Sequence, residues 1–223
     1  MNTIKLNDKV TGYPEPISGT AEWFSCQEGT EQFCDIEDAE KIVLSGRTFS
    51  GMNCCLVHFP DGDVHMPFET KENVFIDQPV WDGRYFYFLE ADFGSRYIRI
   101  YSYAPAEQKK KCLKELPLET VSDCYNLRLA VSPVTLYKGG QGNTGRVIWP
   151  EQQTFELGKT ETFMFRDGSD FYFSEWTEDP VYHEYVVARN VETGEVKERY
   201  EGYLVQMADG IYWQIKHGES GEQ

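Results

Sequence analysis

Acidic side chains follow three aromatic runs in this chain. Glu90 and Asp92 come after "YFYF", Glu175, Glu178 and Asp179 after "DFYFS", and His217 and Glu219 after "YWQIK". Carboxylates gathered on one rim can hold a cation or accept hydrogen bonds from a polar ligand, and Trp176, set among them, offers an aromatic face for stacking. The expected binding residues are therefore Glu90, Asp92, Glu175, Trp176 and Asp179. Exposed loops of any acidic chain are hydrophilic, so these acids also have a plain reading as solvated surface.

Other residue patterns offer less. His58 and His65 flank Asp61-Gly62, and a two-residue hairpin loop would make the two imidazoles direct cross-strand neighbours. With Cys54 and Glu69 on the same face they are the alternative to having no metal site at all, which is the expectation. "GQGNTG" at 140–145 matches a dinucleotide fingerprint, but a strand pattern follows it instead of a helix, so no helix N-terminus is there to hold a pyrophosphate. "LGKT" at 157–160 lacks the earlier glycine of a phosphate loop. No nucleophile elbow or triad is visible, and no cofactor is expected. The six cysteines include no C-x-x-C pair, and buried free thiols are their default reading.

Charge narrows the partners. A net charge of −16 repels a phosphate backbone and anionic lipid, so neither nucleic acid nor a membrane surface is expected. The basic run Lys109-Lys110-Lys111 reads as a solvated turn. No stretch approaches the length of apolar sequence that crosses a bilayer, and "MNTIKLNDKV" has no apolar signal core, which points to a cytoplasmic location.

The elements that must position these residues show themselves as a repeat. Asp82-Gly83, Asp167-Gly168 and Asp209-Gly210 each precede an aromatic run of period two, 85 and then 42 residues apart. Phe86, Phe171 and Trp213 fall at one inward offset, and Phe88, Phe173 and Ile215 at the next. Ser45-Gly46 and Ser132-Pro133 are weaker members of this series. A second series, Asp61-Gly62, Pro105-Ala106, Pro150-Glu151 and Thr193-Gly194, recurs at intervals of 44, 45 and 43 residues. No helical pattern interrupts these units. Alternating strands between turns at this period describe a radially repeated β fold.

In this repeat pattern the whole chain resembles a small five-bladed β-propeller. That architecture implies one domain over 1–223, with the N-terminal strands "TIKLNDKV" and "TAEWFSC" completing the last blade. An antiparallel β-sandwich is the alternative. The expected function is a non-enzymatic binding module presenting a loop face to a protein or glycan. Because some five-bladed propellers are glycosidases, the alternative is a glycoside hydrolase-like enzyme with axial carboxylates drawn from Asp77, Asp123 and Glu161. The oligomeric state stays open.

Overall fold

The computed structural model describes residues 3–6, 8, 10–29, 35–139, 142–178, 180–207 and 209–216. The protein is all-β, with several sheets, none of them closed, and one α-helix among the described residues. It divides into two compact units between Leu129 and Ala130.

The first unit contains β1 (Glu15–Pro16), β2 (Trp23–Gly29), α1 (Ile36–Leu44), β3 (Met52–His58), β4 (Val64–His65), β5 (Val74–Ile76), β6 (Val80–Trp81), β7 (Phe86–Asp92), β8 (Tyr97–Ala104) and β9 (Lys109–Pro117). All nine strands belong to one sheet of order β1-β2-β3-β5-β7-β8-β9, with β4 added to β3 and β6 to β7. Its pairings are antiparallel except that of β3 with β5. β3 reads "MNCCLVH", and six of its seven residues are buried, because both faces of the strand are covered. Cys54 and Leu56 join Phe86, Phe88 and Ile76 on one side, while Cys55 and Val57 meet Cys26, Leu6 and Val10 on the other. A strand apolar on both faces belongs in a sheet interior.

This pairing corrects one expectation. The segment "TAEWFSC" forms most of β2, which pairs with β1 and β3 in the first sheet, and the described residues of "TIKLNDKV" form no strand, so neither segment completes a last blade. The reason is the apolar run of β3, which gains more by antiparallel burial against β2 than an edge position would give it.

A second correction is α1. Asp35 accepts a hydrogen bond from the Asp38 backbone N–H at 3.0 Å, Glu37 and Asp38 occupy the first turn, and Lys41 pairs with Glu37 at 2.8 Å. That is a capped, charge-complemented helix start. Ser45-Gly46 accordingly closes a helix, with Gly46 at φ 79°, and is not a hairpin turn.

The second unit follows β10 (Leu127–Ala130), at the end of which the division falls. It contains β11 (Thr135–Gly139), β12 (Thr144–Trp149), β13 (Gln153–Glu156), β14 (Thr162–Asp167), β15 (Asp170–Glu178), β16 (Tyr182–Asn190), β17 (Val196–Glu201), β18 (Tyr203–Gln206) and β19 (Tyr212–Ile215). β10 to β13 form one four-stranded sheet, β14 to β17 another, and β18 with β19 a separate hairpin. Its core is aromatic, with Tyr137, Phe163, Phe171 and Phe173 in mutual ring contact at 4.3 to 6.4 Å between centroids.

The two turn series now have a structural meaning. Asp82-Gly83, Ser132-Pro133 and Asp167-Gly168 join the first two strands of three successive up-and-down meanders, β6–β9, β10–β13 and β14–β17. Pro105-Ala106, Pro150-Glu151 and Thr193-Gly194 join the last two strands of the same meanders. The Asp-Gly turns need glycine because its φ is positive, 94° at Gly83 and 56° at Gly168. The expected inward phase holds for Phe86, Phe88, Phe171 and Phe173, all fully buried. It fails in the last hairpin. There Tyr212 stacks on Phe165 at 3.8 Å and Trp213 is 58% exposed, because the packing of the β18–β19 pair puts the other face inward.

Candidate functional site

The β15–β16 hairpin carries the strongest surface feature. Along β15 the inward series runs Phe171, Phe173, Glu175, Thr177, so the change from phenylalanine to glutamate marks where the strand leaves the core. Nine cross-strand pairs from Asp170↔Asn190 to Glu178↔Tyr182 hold the projecting end in register. On the opposite face Trp176 and Tyr182 lie with centroids 6.5 Å apart and planes inclined by 21°. Both rings are about half exposed, and Val181 between the strands is more exposed still. Tyr182 donates a hydrogen bond to Glu184 at 2.9 Å, which raises its pKa and leaves a carboxylate beside the rings. Glu178, on the same face, is exposed. Two nearly parallel rings rimmed by carboxylates can stack on the apolar face of a ligand and hydrogen-bond its hydroxyls.

The other expected binding acids are already engaged. Glu90 and Asp92 are brought together by one guanidinium, Arg99 Nη1 donating to them at 2.7 and 3.1 Å, while Arg99 Nε donates to Glu115 at 2.6 Å. Arg99 faces Glu90 directly across β7 and β8. Burial pushes the Asp92 carboxyl up, but hydrogen bonds from Ser95 and Arg99 outweigh it and hold the group below the usual range. Glu175 accepts from Arg199 at 2.7 Å, and the Arg199 guanidinium lies 3.3 Å over the Tyr185 ring. Asp179 falls outside the described residues. Arg99 sits on the neighbouring strand and Arg199 two strands away on β17, so no local spacing in the sequence marks them as partners.

The two histidines are not direct neighbours. β3 and β4 pair Leu56 with His65 and Val57 with Val64, and the His58 N–H donates to the Asp63 carbonyl at 2.9 Å, so the loop is longer than two residues. Both imidazoles instead pack on Trp23, at 4.6 and 5.2 Å between centroids. His58 Nδ1 lies 2.8 Å from Asp61, and His65 Nδ1 lies 2.8 Å from the Tyr103 hydroxyl. Burial pushes the His65 pKa down. These partners give the pair a packing role.

Of the carboxylates named for catalysis, Glu161 is held by Arg189 through two hydrogen bonds of 3.0 and 2.8 Å. Asp123 accepts from the Tyr125 N–H at 2.9 Å. Asp77 differs, because burial, helped by the nearby charge of Asp35, pushes its pKa up to about 6 against the pull of the Gln78 N–H and Arg128.

Asp77 carries a pH prediction. A native pKa above the ordinary carboxylate value means that the folded state holds the proton more tightly than the unfolded chain does. Its contribution to stability is therefore complete at acid pH and lost as pH rises through about 6. Asp77→Asn should remove this fall and stabilise the protein at neutral pH by up to about 3 kcal/mol. Urea unfolding from pH 4 to 8 checks it, and parallel curves for wild type and variant would contradict the burial of this group.

No protein-family model matches the chain, and no curated protein does either.

Proposed function

We propose that this protein is a non-enzymatic binding module whose ligand surface is the Trp176–Tyr182 face of the β15–β16 hairpin, and that the ligand is a neutral glycan. One observation carries the reading: two half-exposed aromatic rings in near-parallel alignment, at the free end of a hairpin anchored by Phe171 and Phe173. Aromatic faces stack on the C–H faces of sugar rings, and Glu178 and Glu184 supply acceptors for hydroxyl groups. The net charge of −16 favours uncharged polysaccharides over acidic ones.

The test is affinity electrophoresis through gels cast with a set of neutral polysaccharides. At least one should retard the protein, and Trp176→Ala should weaken that retardation about tenfold, equivalent to about 1.4 kcal/mol. Its urea midpoint should stay within about 0.5 kcal/mol of wild type, since the ring lies outside the core. No retardation by any of them, or equal retardation of the variant, would reject the reading.

A five-bladed propeller remains our reading of the architecture. Three consecutive four-stranded meanders with regularly recurring turns support it. The hydrolase-like alternative is favoured by Asp77 alone, whose raised pKa suits a general acid. Hydrolysis of nitrophenyl glycosides with a limb near pH 6, abolished in Asp77→Asn, would select it over the binding module.

A further inference from the structure

β2 and β3 place Cys26 directly across from Cys55. Alternate residues of a strand share a face, so Glu28, two positions beyond Cys26, points the same way. The two sulfurs and a Glu28 carboxylate oxygen all lie within 4.8 Å of one another. All three residues are buried, at 0%, 1% and 9% exposure. Leu6 and Val10 pack over the two cysteines on the same face.

Among the described residues the charge here is unbalanced. Among the described residues the Glu28 carboxylate accepts hydrogen bonds from neutral donors alone: the Thr11 N–H at 2.9 and 3.1 Å, the Thr11 hydroxyl, and the Gly12 N–H at 3.0 Å. Among the described residues no Lys, Arg or His forms an ion pair with it. A buried carboxylate without a counter-charge is unfavourable, and a bound cation removes that penalty.

We propose that Cys26, Cys55 and Glu28 form a binding site for one thiophilic divalent cation of the zinc type. Tetrahedral coordination with metal–sulfur bonds of about 2.3 Å puts ligand atoms roughly 3.5 to 3.8 Å apart, within reach of the observed cluster by small side-chain rotations. Two metal–sulfur bonds and one metal–oxygen bond form, and the two thiol protons leave to solvent with no change of oxidation state. The hydrogen bonds from Thr11 and Gly12 orient the carboxylate as outer partners of a ligand do. The backbone at Gly12 runs close against β2, since a Cβ added there would lie only 2.5 Å from the Gln27 carbonyl oxygen. Loading of the folded protein is therefore slow, and loading during refolding fast.

The test uses the full chain, reduced and stripped with a chelator, refolded with Co²⁺ alone as the probe. One equivalent should bind with thiolate-to-cobalt charge-transfer bands and tetrahedral visible bands, release about two protons, and be displaced by Zn²⁺. Cys26→Ser and Cys55→Ser should each weaken binding about 100-fold and Glu28→Gln about tenfold, while Cys112→Ser, an exposed thiol, changes nothing. Should the serine variants fail to fold, wild-type protein decides: Zn²⁺ should protect Cys26 and Cys55 from alkylation, mapped by peptide mass. Absence of charge-transfer bands in wild type, bands that survive both serine substitutions, or alkylation of Cys26 and Cys55 unaffected by Zn²⁺ would each overturn the site.

Discussion

Phe171→Ala should lower the free energy of unfolding by about 3–5 kcal/mol. The side chain is fully buried and meets Phe163 at 5.4 Å, Tyr137 at 5.8 Å and Phe155 at 6.1 Å between centroids. Removing the ring deletes its transfer free energy and leaves a cavity whose walls are other rings, held by cross-strand pairing and unable to collapse far. The Arg166 guanidinium, 5.6 Å from the ring centroid, also loses its aromatic partner. Against a total stability of about 5–15 kcal/mol this is a large fraction, and the melting temperature should fall by on the order of 10 °C. A urea midpoint shifted by the equivalent of less than about 1 kcal/mol would show that this cluster is not the core of the second unit.

Glu161→Gln should cost a similar amount, about 3–5 kcal/mol, for a different reason. The Glu161 and Arg189 side chains are 4% and 10% exposed, and their two hydrogen bonds are joined by a third from Arg189 to the Gly194 carbonyl at 2.8 Å. Neutralising one partner strands the other charge in a low-dielectric interior. The double replacement Glu161→Met with Arg189→Met removes both charges and should recover most of the loss, so the coupling energy in a double-mutant cycle is the quantity to measure. Additive single effects would mean that the pair is better hydrated than its burial implies. The contrast is Arg199→Met, where the cation is 42% exposed and the loss should stay within about 1 kcal/mol.

These two sites differ in how far the chain revealed them. Phe171 was legible, because a turn glycine followed by large apolar residues at every second position fixes which side chains face inward. The pairing of Glu161 with Arg189 was not, since 28 residues and a complete hairpin separate them. The same holds for Arg99 beside Glu90 and for Arg199 beside Glu175: the acids were readable as a group, and their cations come from other strands, β8 and β17. Trp176 was singled out by its acidic neighbours. Its alignment with Tyr182 depends on the register of β15 with β16.

Two misreadings have local causes. The helix at Ile36–Leu44 carried its own signals, an Asp35 cap with acids in the first turn, but a strong strand repeat on either side masked a stretch of only nine residues. The His58–His65 pairing rested on a two-residue loop, whereas the bond from the Gly62 N–H to the His58 carbonyl at 2.8 Å closes a longer one. A shift of that kind leaves both rings on one face and changes their partners.

Turn chemistry and period-two hydrophobicity, both local properties of the chain, determined by themselves that it forms antiparallel meanders with phenylalanines inside and acids at the strand ends. The tertiary structure alone decided which acids meet arginines, that β2 pairs with β3, and that Cys26, Cys55 and Glu28 converge. The physical reason is that strand register is set by burial of whole faces and by loop geometry, and neither is encoded in the spacing of any single pair of residues.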